Sequence, residues 1–303
     1  MYSLADIYNG LRDPKKVARE LNRKKYNIQN GRSFNKKGID IFEEDWDNLI
    51  ILDACRYDIF EKIADLPGSL DYRISRGSAT YEFIPANFNG RELNDTVYVT
   101  TNSWYTTTRD GLNSNVFKLI DLQYGLNDAS ALDPYFETVK PEFVTEKAQE
   151  ANEKYPNKRL IVHYLQPHHP FIGSFGREKF RHKSSSLGEV LKQTEDWTRE
   201  DVLRAYKENM DIVLEEVKEL LSDLQGKTVI TADHGEMIGE RHMILPLRDY
   251  GHPSGIYYPS LVKVPWNVYQ NNKRKEIQAD PSERDEYVDQ EKIEKQLAKL
   301  GYR

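Results

Sequence analysis

One cysteine, Cys55, stands among 303 residues. A single thiol excludes an intramolecular disulfide framework and any zinc site built from several cysteines. Cations are not in excess either. Lys and Arg number 43 against 49 Asp and Glu, a net charge of -6, so no surplus exists to neutralise a nucleic-acid backbone. No apolar run reaches the roughly 20 residues that a membrane-spanning helix needs. The first residues, Met1-Tyr2-Ser3-Leu4-Ala5-Asp6, hold no long apolar segment. These absences give the expectation of a cytoplasmic protein with no transmembrane segment, whose route to a membrane is peripheral contact. Internal repeats and low-complexity tracts are also missing.

What is present is a globular composition. Hydrophobic residues make up 38%, charged residues 30% and aromatics 11%, with 19 Tyr, which argues against disorder. A chain of this length buries about three quarters of its unfolded surface and needs no crosslink to be stable. Residues 1–40 are basic and polar, with helical stretches such as Asp13 to Asn22, and are expected to form an N-terminal helical extension. A basic amphipathic segment of this kind either packs on the core or touches anionic lipid. Residues 271–303 are rich in charge and predict a tail with one helix from Asp289 to Leu300, ended by Gly301.

Between these flanks, residues 41–270 alternate strand and helix patterns. Asn48 to Asp53 is a continuous apolar run, as a strand buried on both faces requires. Asp95 to Thr100 follows as a strand rich in β-branched residues, Arg159 to Leu165 and Lys227 to Ala232 are the third and fourth, and Tyr258 to Val264 is a fifth candidate. Thr198 to Leu224 carries Val202, Ala205, Tyr206, Met210, Val213, Leu214, Val217, Leu220 and Leu221 on one stripe, the mark of an amphipathic helix. The alternation predicts an α/β domain, a three-layer α/β/α sandwich with a mostly parallel central sheet.

Ligands of such sheets bind beyond the carboxyl ends of the strands. Those ends read Asp53; Thr100-Thr101-Asn102; Gln166-Pro167-His168-His169; and Asp233-His234-Gly235-Glu236. Carboxylates and imidazoles delivered to one sheet edge make a divalent-cation site, and that donor set suits zinc or manganese better than calcium. Each residue alone has a plainer reading. A strand-end Asp is commonly a helix cap, a lone His is commonly a satisfied side chain, and Asp233-His234-Gly235 alone is a turn. Their joint occurrence at successive strand ends favours the site.

The same segments resemble a known family. Thr231-Ala232-Asp233-His234-Gly235-Glu236-Met237-Ile238-Gly239-Glu240 resembles the signature of the sulfatase-like branch of the alkaline phosphatase superfamily. Leu49 to Ala54 is similar to its first metal-ligand strand, Tyr164 to Phe171 to its Pro-His-x-Pro-aromatic motif, and Tyr250-Gly251-His252-Pro253 to its late active-site histidine. The motifs fall in the family's order across residues 45–266. The resemblance implies the alkaline phosphatase/sulfatase-like fold and one divalent metal ion, zinc or manganese in first place and magnesium or calcium after them. It implies Asp53, Ser78, Asp233 and His234 as metal residues.

The implied nucleophile region is Arg76-Gly77-Ser78-Ala79-Thr80-Tyr81-Glu82-Phe83. Cysteine-type sulfatases carry Cys-x-Pro-Ser-Arg here. This chain has Ser78, Thr80 and Glu82 at the matching places, and Cys55 is misplaced. The segment looks more like that of lipoteichoic acid synthases and phosphoethanolamine transferases, where a threonine precedes a Glu-Phe pair. Alignment on Glu82-Phe83 selects Ser78, with Thr80 as the alternative nucleophile. Ser78 also reads as a plain helix N-cap.

His169 and His252 are the implied partners of the substrate, or the ligands of a second, looser metal. Gln166 stands where that second site would want an Asp. Arg56, Arg76 and Asn102 are candidate anion contacts, whereas His163, His168, His182 and His242 read as structural or surface residues. The expected activity is that of a metal-dependent phosphoester hydrolase or phosphotransferase using a serine, acting on a phosphorylated small molecule or glycan. The alternatives are a sulfatase acting on a sulfated one, and a silent binding or scaffold member of a surface-polysaccharide pathway.

Overall fold

The computed structural model describes residues 13–30, 34–123, 129–184 and 186–283. Its centre is a seven-stranded sheet in the order β2-β9-β6-β1-β5-β3-β4. The strands are β1 (Asn48–Leu52), β2 (Ser69–Ile74), β3 (Glu92–Thr100), β4 (Asn115–Asp121), β5 (Arg159–Tyr164), β6 (Gly226–Thr231) and β9 (Lys263–Asn271). The β6-β1-β5-β3-β4 run is parallel, and β9 alone pairs antiparallel, with β6 on one side and β2 on the other. This is the expected α/β sandwich with a mostly parallel sheet.

All five residues of β1 are buried. The period of two along a strand sends Ile50 and Leu52 to one face and Leu49 and Ile51 to the other. The first pair joins the core under α8 (Arg199–Asp223), together with Val97, Val99, Leu160, Val162 and Ile230. The second pair joins a separate core with Tyr98, Ile161, Val229 and Phe83 of α3 (Thr80–Phe88). Each buried aliphatic side chain contributes about 1.5–3 kcal/mol relative to exposure. A polar substitution in β1 therefore damages a core on either face. Helix α8 begins at a capping box, in which the Thr198 side chain accepts from the Asp201 amide and Asp201 reciprocates. Its buried stripe is the one read from the sequence.

The fifth candidate strand starts later than expected. Pro259–Val262 forms a short helical turn, α9, and the strand begins at Lys263. Pro259 occupies the first helical position, where its fixed φ and missing N–H favour a helix start. The edge strand β2 carries no apolar run, because four of its six residues face solvent.

The other elements are α2 (Tyr57–Ile63), α4 (Trp104–Leu112), α5 (Pro141–Lys154), α6 (Ser174–Lys179), α7 (Leu187–Gln193) and the two-stranded hairpin β7 (Met237–Arg241) with β8 (Arg248–Gly251). The N-terminal helix α1 (Pro14–Asn30) runs longer than the sequence pattern and packs on this hairpin. Arg19 binds the buried Asp249 through both oxygens, at 2.5 and 2.6 Å, and His242 Nε2 meets the same carboxylate at 2.9 Å. Residues 272–283 run back over the sheet through backbone bonds to Asn157, Asn94 and Phe117. The expected helix from Asp289 to Leu300 lies outside the described residues.

Candidate active site

The strand order places β1 between β6 and β5, so the loops after these three strands open on one crevice. Asp53 follows β1, and Asp233-His234 follows β6. Thr80 is the first residue of α3. These four side chains converge. His234 Nε2 lies 3.5 Å from Asp53 Oδ1, 3.4 Å from Asp233 Oδ2 and 3.3 Å from Thr80 Oγ1. Thr80 Oγ1 donates to Asp233 Oδ2 at 2.6 Å. Donors bound about 2.0–2.2 Å from one tetrahedral centre are spaced by roughly 3.3–3.6 Å, which the three imidazole distances match.

The surroundings prepare these atoms for a cation. His234 Nδ1 faces the Gly235 carbonyl at 2.8 Å, which fixes the proton there and leaves the Nε2 lone pair toward the carboxylates. Asn102 Nδ2 donates to Asp53 Oδ2 at 2.9 Å, while Asp53 Oδ1 is buried with no hydrogen-bond donor among the described residues. Asp233 Oδ1 accepts from the amides of Ala54 and His234, at 3.1 and 2.8 Å, leaving Oδ2 to Thr80. Burial and the neighbouring charge of Asp233 push the Asp53 carboxyl well above its ordinary pKa. Burial opposes ionisation of Asp233 too, but His234, His163 and the Thr80 hydroxyl outweigh it and hold that carboxyl below its ordinary value. Two buried carboxylates, an imidazole with a free lone pair and a hydroxyl fit a divalent ion that balances their charge.

Local packing explains why the segments hold this shape. A Cβ on Gly235 would lie 2.2 Å from the Ser260 carbonyl oxygen, so only glycine permits the close approach of the Asp233-His234 turn to α9. Ser75 Oγ donates to the Asp233 carbonyl. Gly77 lets the chain turn into α3, since a Cβ there would lie 2.5 Å from the Phe83 amide.

Not every candidate joins the group. Ser78 is buried, but its Oγ and its amide both donate to Glu82, at 2.8 and 2.9 Å, and the hydroxyl has no bond to Asp53, Asp233 or His234. The hydroxyl among the metal-type residues is that of Thr80. Arg56 is spent on Asp58, Glu240 and the Glu236 carbonyl and so braces the entry to β7. Arg76 donates to Asp40 and the Ala86 carbonyl. Asn102 orients Asp53, and its Oδ1 accepts the Trp104 amide at 3.1 Å. Cys55 is fully buried, and burial followed by the nearby Asp233 charge pushes its thiol well up, so it offers no thiolate.

A second group lies beside the first. His168, Glu236 and His252 bring donor atoms within 4.8 Å of one another. His252 Nδ1 is 3.3 Å from Glu236 Oε2, and its ring centroid stands 4.5 Å from that of His234 and 5.0 Å from that of His168. Glu236 Oε1 is buried and receives no hydrogen bond among the described residues. Burial lowers the His168 imidazole to about 4, helped by His252. Burial also works against a charged His252, but Glu236 wins and raises it.

The member of the His168-His169 pair in this group is His168, which reads from the sequence as a structural or surface residue, and the carboxylate beside it is Glu236. His169 rests against His168 and Phe171. His163, with the same sequence reading, is buried on β5 with Nε2 4.0 Å from Asp233 Oδ2 and Nδ1 3.0 Å from the Tyr98 hydroxyl. Its signal was the alternation of β5, which turns every second residue to the Thr80 side of the sheet.

No protein-family model and no curated protein matches the chain. Solved structures do. The soluble domain of lipooligosaccharide phosphoethanolamine transferase A from Neisseria meningitidis is similar over 73% of this chain and 75% of that one, at 14% identity and a TM-score of 0.49. The C-terminal periplasmic domain of EcEptC from Escherichia coli, described as a complex with zinc, covers 73% and 72% at 15% identity and a TM-score of 0.41. BT1596, described as a 2-O GAG sulfatase, covers 77% and 65% at 12% identity and a TM-score of 0.45. The likeness is one of fold.

Proposed function

We propose that the chain is a metal-dependent phosphoester hydrolase or phosphotransferase whose nucleophile is Thr80. The observation that carries this reading is the Thr80 hydroxyl at the head of α3, 2.6 Å from Asp233 Oδ2 and 3.3 Å from His234 Nε2. Asp53, Asp233, His234 and Thr80 would hold one divalent ion, zinc or manganese by donor type. Such an ion supplies the charge that acidifies a hydroxyl and neutralises a phosphate oxygen.

The remaining work falls to the chain's own groups. Asp233 Oδ2 accepts the Thr80 hydroxyl hydrogen and so points the oxygen's lone pairs at an incoming phosphorus. The positive end of α3 draws the anionic ester to the same place. Attack by Thr80 Oγ1 forms a phosphothreonine and breaks the ester P–O bond. His252, kept protonable by Glu236, gives its Nε2 proton to the departing oxygen. Water or a second alcohol then attacks phosphorus and returns the threonine. The substrate class is a phosphorylated small molecule or glycan. Were a second ion held by His168, Glu236 and His252, His252 would serve it as a ligand in place of this acid role.

The test combines metal analysis with turnover of p-nitrophenyl phosphate, its bis-ester and p-nitrophenyl sulfate. Thr80→Ala should lower metal-dependent phosphoester turnover by at least about a thousandfold with the bound metal retained. Ser78→Ala should stay within about tenfold of the parent, because its hydroxyl serves Glu82. Turnover that survives Thr80→Ala and vanishes in Ser78→Ala returns the role to Ser78. Failure to bind any divalent ion removes the site.

A further inference from the structure

The hairpin that carries Glu236 at the start of one strand and His252 just past the end of the other projects away from the site. Its tip is apolar. Met243, Ile244 and Leu245 are 61%, 38% and 44% exposed and are followed by Pro246 and Leu247. Helix α1 lies alongside. Asn22 Nδ2 donates to the Ile244 carbonyl at 3.2 Å, and Lys25 Nζ sits 3.7 Å from Met243 Sδ. Leu21, Lys24, Lys25 and Ile28 share one stripe of α1 by their three- and four-residue spacing, and Ile28 is 86% exposed. Five neighbouring aliphatic or thioether side chains thus stand in water on a helix stripe and a loop tip.

The charge around them has one dominant sign. Helix α1 carries Lys15, Lys16, Arg19, Arg23, Lys24 and Lys25 against Glu20 alone. Arg19 and Arg23 are engaged with Asp249 and Glu20, and the four lysines of the helix leave its charge positive. Beside the loop opens a cleft of about 700 Å³. It is lined by Lys15, Lys192 and Arg248, with Asp13 as its carboxylate and the edge-to-face pair Trp197–Tyr250 as its aromatic wall. Lys192 also holds Glu189. Exposed aliphatic side chains rimmed by lysines are complementary to the headgroup and upper acyl layer of an anionic bilayer.

We propose that this face, formed by the 243–247 loop, the Leu21–Ile28 stripe of α1 and the basic cleft at the N-terminal end of α1, docks on a membrane that carries anionic phospholipid. Strand β7 spans five residues, so the loop stands roughly 16 Å from Glu236 and His252. Docking therefore holds the candidate active site near the lipid surface, within reach of a substrate presented there. The proposal rests on the surface alone and holds whichever hydroxyl is the nucleophile.

The test is co-sedimentation of the full chain with vesicles of phosphatidylcholine, alone or mixed with phosphatidylglycerol, at low and high salt. Binding should require the anionic lipid and weaken with salt. Met243→Asp with Leu245→Asp, and separately Lys24→Glu with Lys25→Glu, should each lower partition by at least about tenfold while melting temperature and turnover of a soluble phosphoester stay at the parent value. Lys24 is exposed and Lys25 partly exposed on the helix, so the pair keeps the test valid if the loop variant misfolds. The proposal is overturned by no binding to anionic vesicles at low salt, by equal binding to neutral ones, or by binding that both variants leave unchanged. A dimer in sedimentation equilibrium that Met243→Asp dissolves, without vesicle binding, would assign the face to self-association and overturn it as well.

Discussion

Removing a metal ligand should stabilise the metal-free protein. Asp53 and Asp233 are both buried beside His234, and the Asp53 carboxyl is pushed well above the ordinary range by burial and by the charge of Asp233. A carboxyl whose folded pKa exceeds its unfolded value contributes fully below the unfolded pKa, about 4, and that stability is lost as pH rises through the folded value. Metal-free protein should therefore weaken from about pH 4 upward until Asp53 has ionised. Asp53→Asn removes the charge while its amide oxygen can keep the bond from Asn102 Nδ2. Relief of an uncompensated buried charge is worth about 1–3 kcal/mol, or roughly 5 °C in melting temperature for a chain of this size.

Metal reverses the order. At a hundredfold excess over its dissociation constant, an ion that binds only the folded parent adds about 2.7 kcal/mol, and the variant should gain little. Thermal melts across a pH series, in chelator and then in zinc or manganese, read both effects. Asp53→Asn should melt above the parent in chelator at neutral pH, match it at the acid end and melt below it in metal. A variant less stable than the parent in chelator at every pH, or one with the parent's full metal shift, would refute the reading of Asp53 as a ligand held in place against its own electrostatic cost.

Three further changes test other parts of the structure. Thr80→Ser keeps the hydroxyl against Asp233 and should retain turnover within about tenfold, where Thr80→Ala loses at least about a thousandfold; equal losses in both would deny that the oxygen is what matters. Arg19→Met leaves Asp249, 1% exposed, with His242 and the Tyr250 amide as its remaining partners, and should cost about 1–3 kcal/mol in urea melts once the one-third exposure of Arg19 is allowed for. Although burial works against its charge, His242 and Arg19 hold the Asp249 carboxyl below its ordinary value. Its contribution is present above pH 4 or so and disappears as pH falls through the folded pKa, so the variant should show a shallower acid loss than the parent. Gly235→Ala drives a Cβ to 2.2 Å from the Ser260 carbonyl and should destabilise by about 3 kcal/mol or more while lowering bound metal; an unchanged melt would show that the turn has room.

The sheet was legible because a parallel strand buried on both faces is dominated by apolar and β-branched residues: β1 holds a continuous run, and β5 and β6 carry Leu160-Ile161-Val162 and Thr228-Val229-Ile230-Thr231 at their centres. Asp53, Asp233 and His234 were legible for the same reason, since a strand that ends sharply leaves its next polar residue at the crevice. The hairpin and the edge strand β2 were harder to read. Their residues answer to α1 and to solvent, and neither leaves a periodic trace in the strand itself. The two places inside the site where the geometry favours a neighbour of the residue read from the sequence share one cause. His168 and His169 are adjacent, and Ser78 and Thr80 are two apart, so composition and motif order place either member of each pair in the same neighbourhood.

What separates the members is local geometry. The His168 amide is fixed to the Asp53 carbonyl at 3.1 Å and its ring turns to His252, while His169 packs toward Phe171. Ala79, extended, is the cap of α3, so Thr80 is its first residue and the hydroxyl reaches Asp233. Ser78 lies one residue before the cap, where Glu82 reaches back to take both its donors. A nucleophile must face the metal-type residues and stay free of a competing carboxylate, and Ser78 fails both requirements because Glu82 stands four residues after it. The Glu82-Phe83 pair that drew the alignment to Ser78 is therefore, through Glu82, the feature that engages that serine's donors and leaves Thr80 as the hydroxyl facing Asp233 and His234.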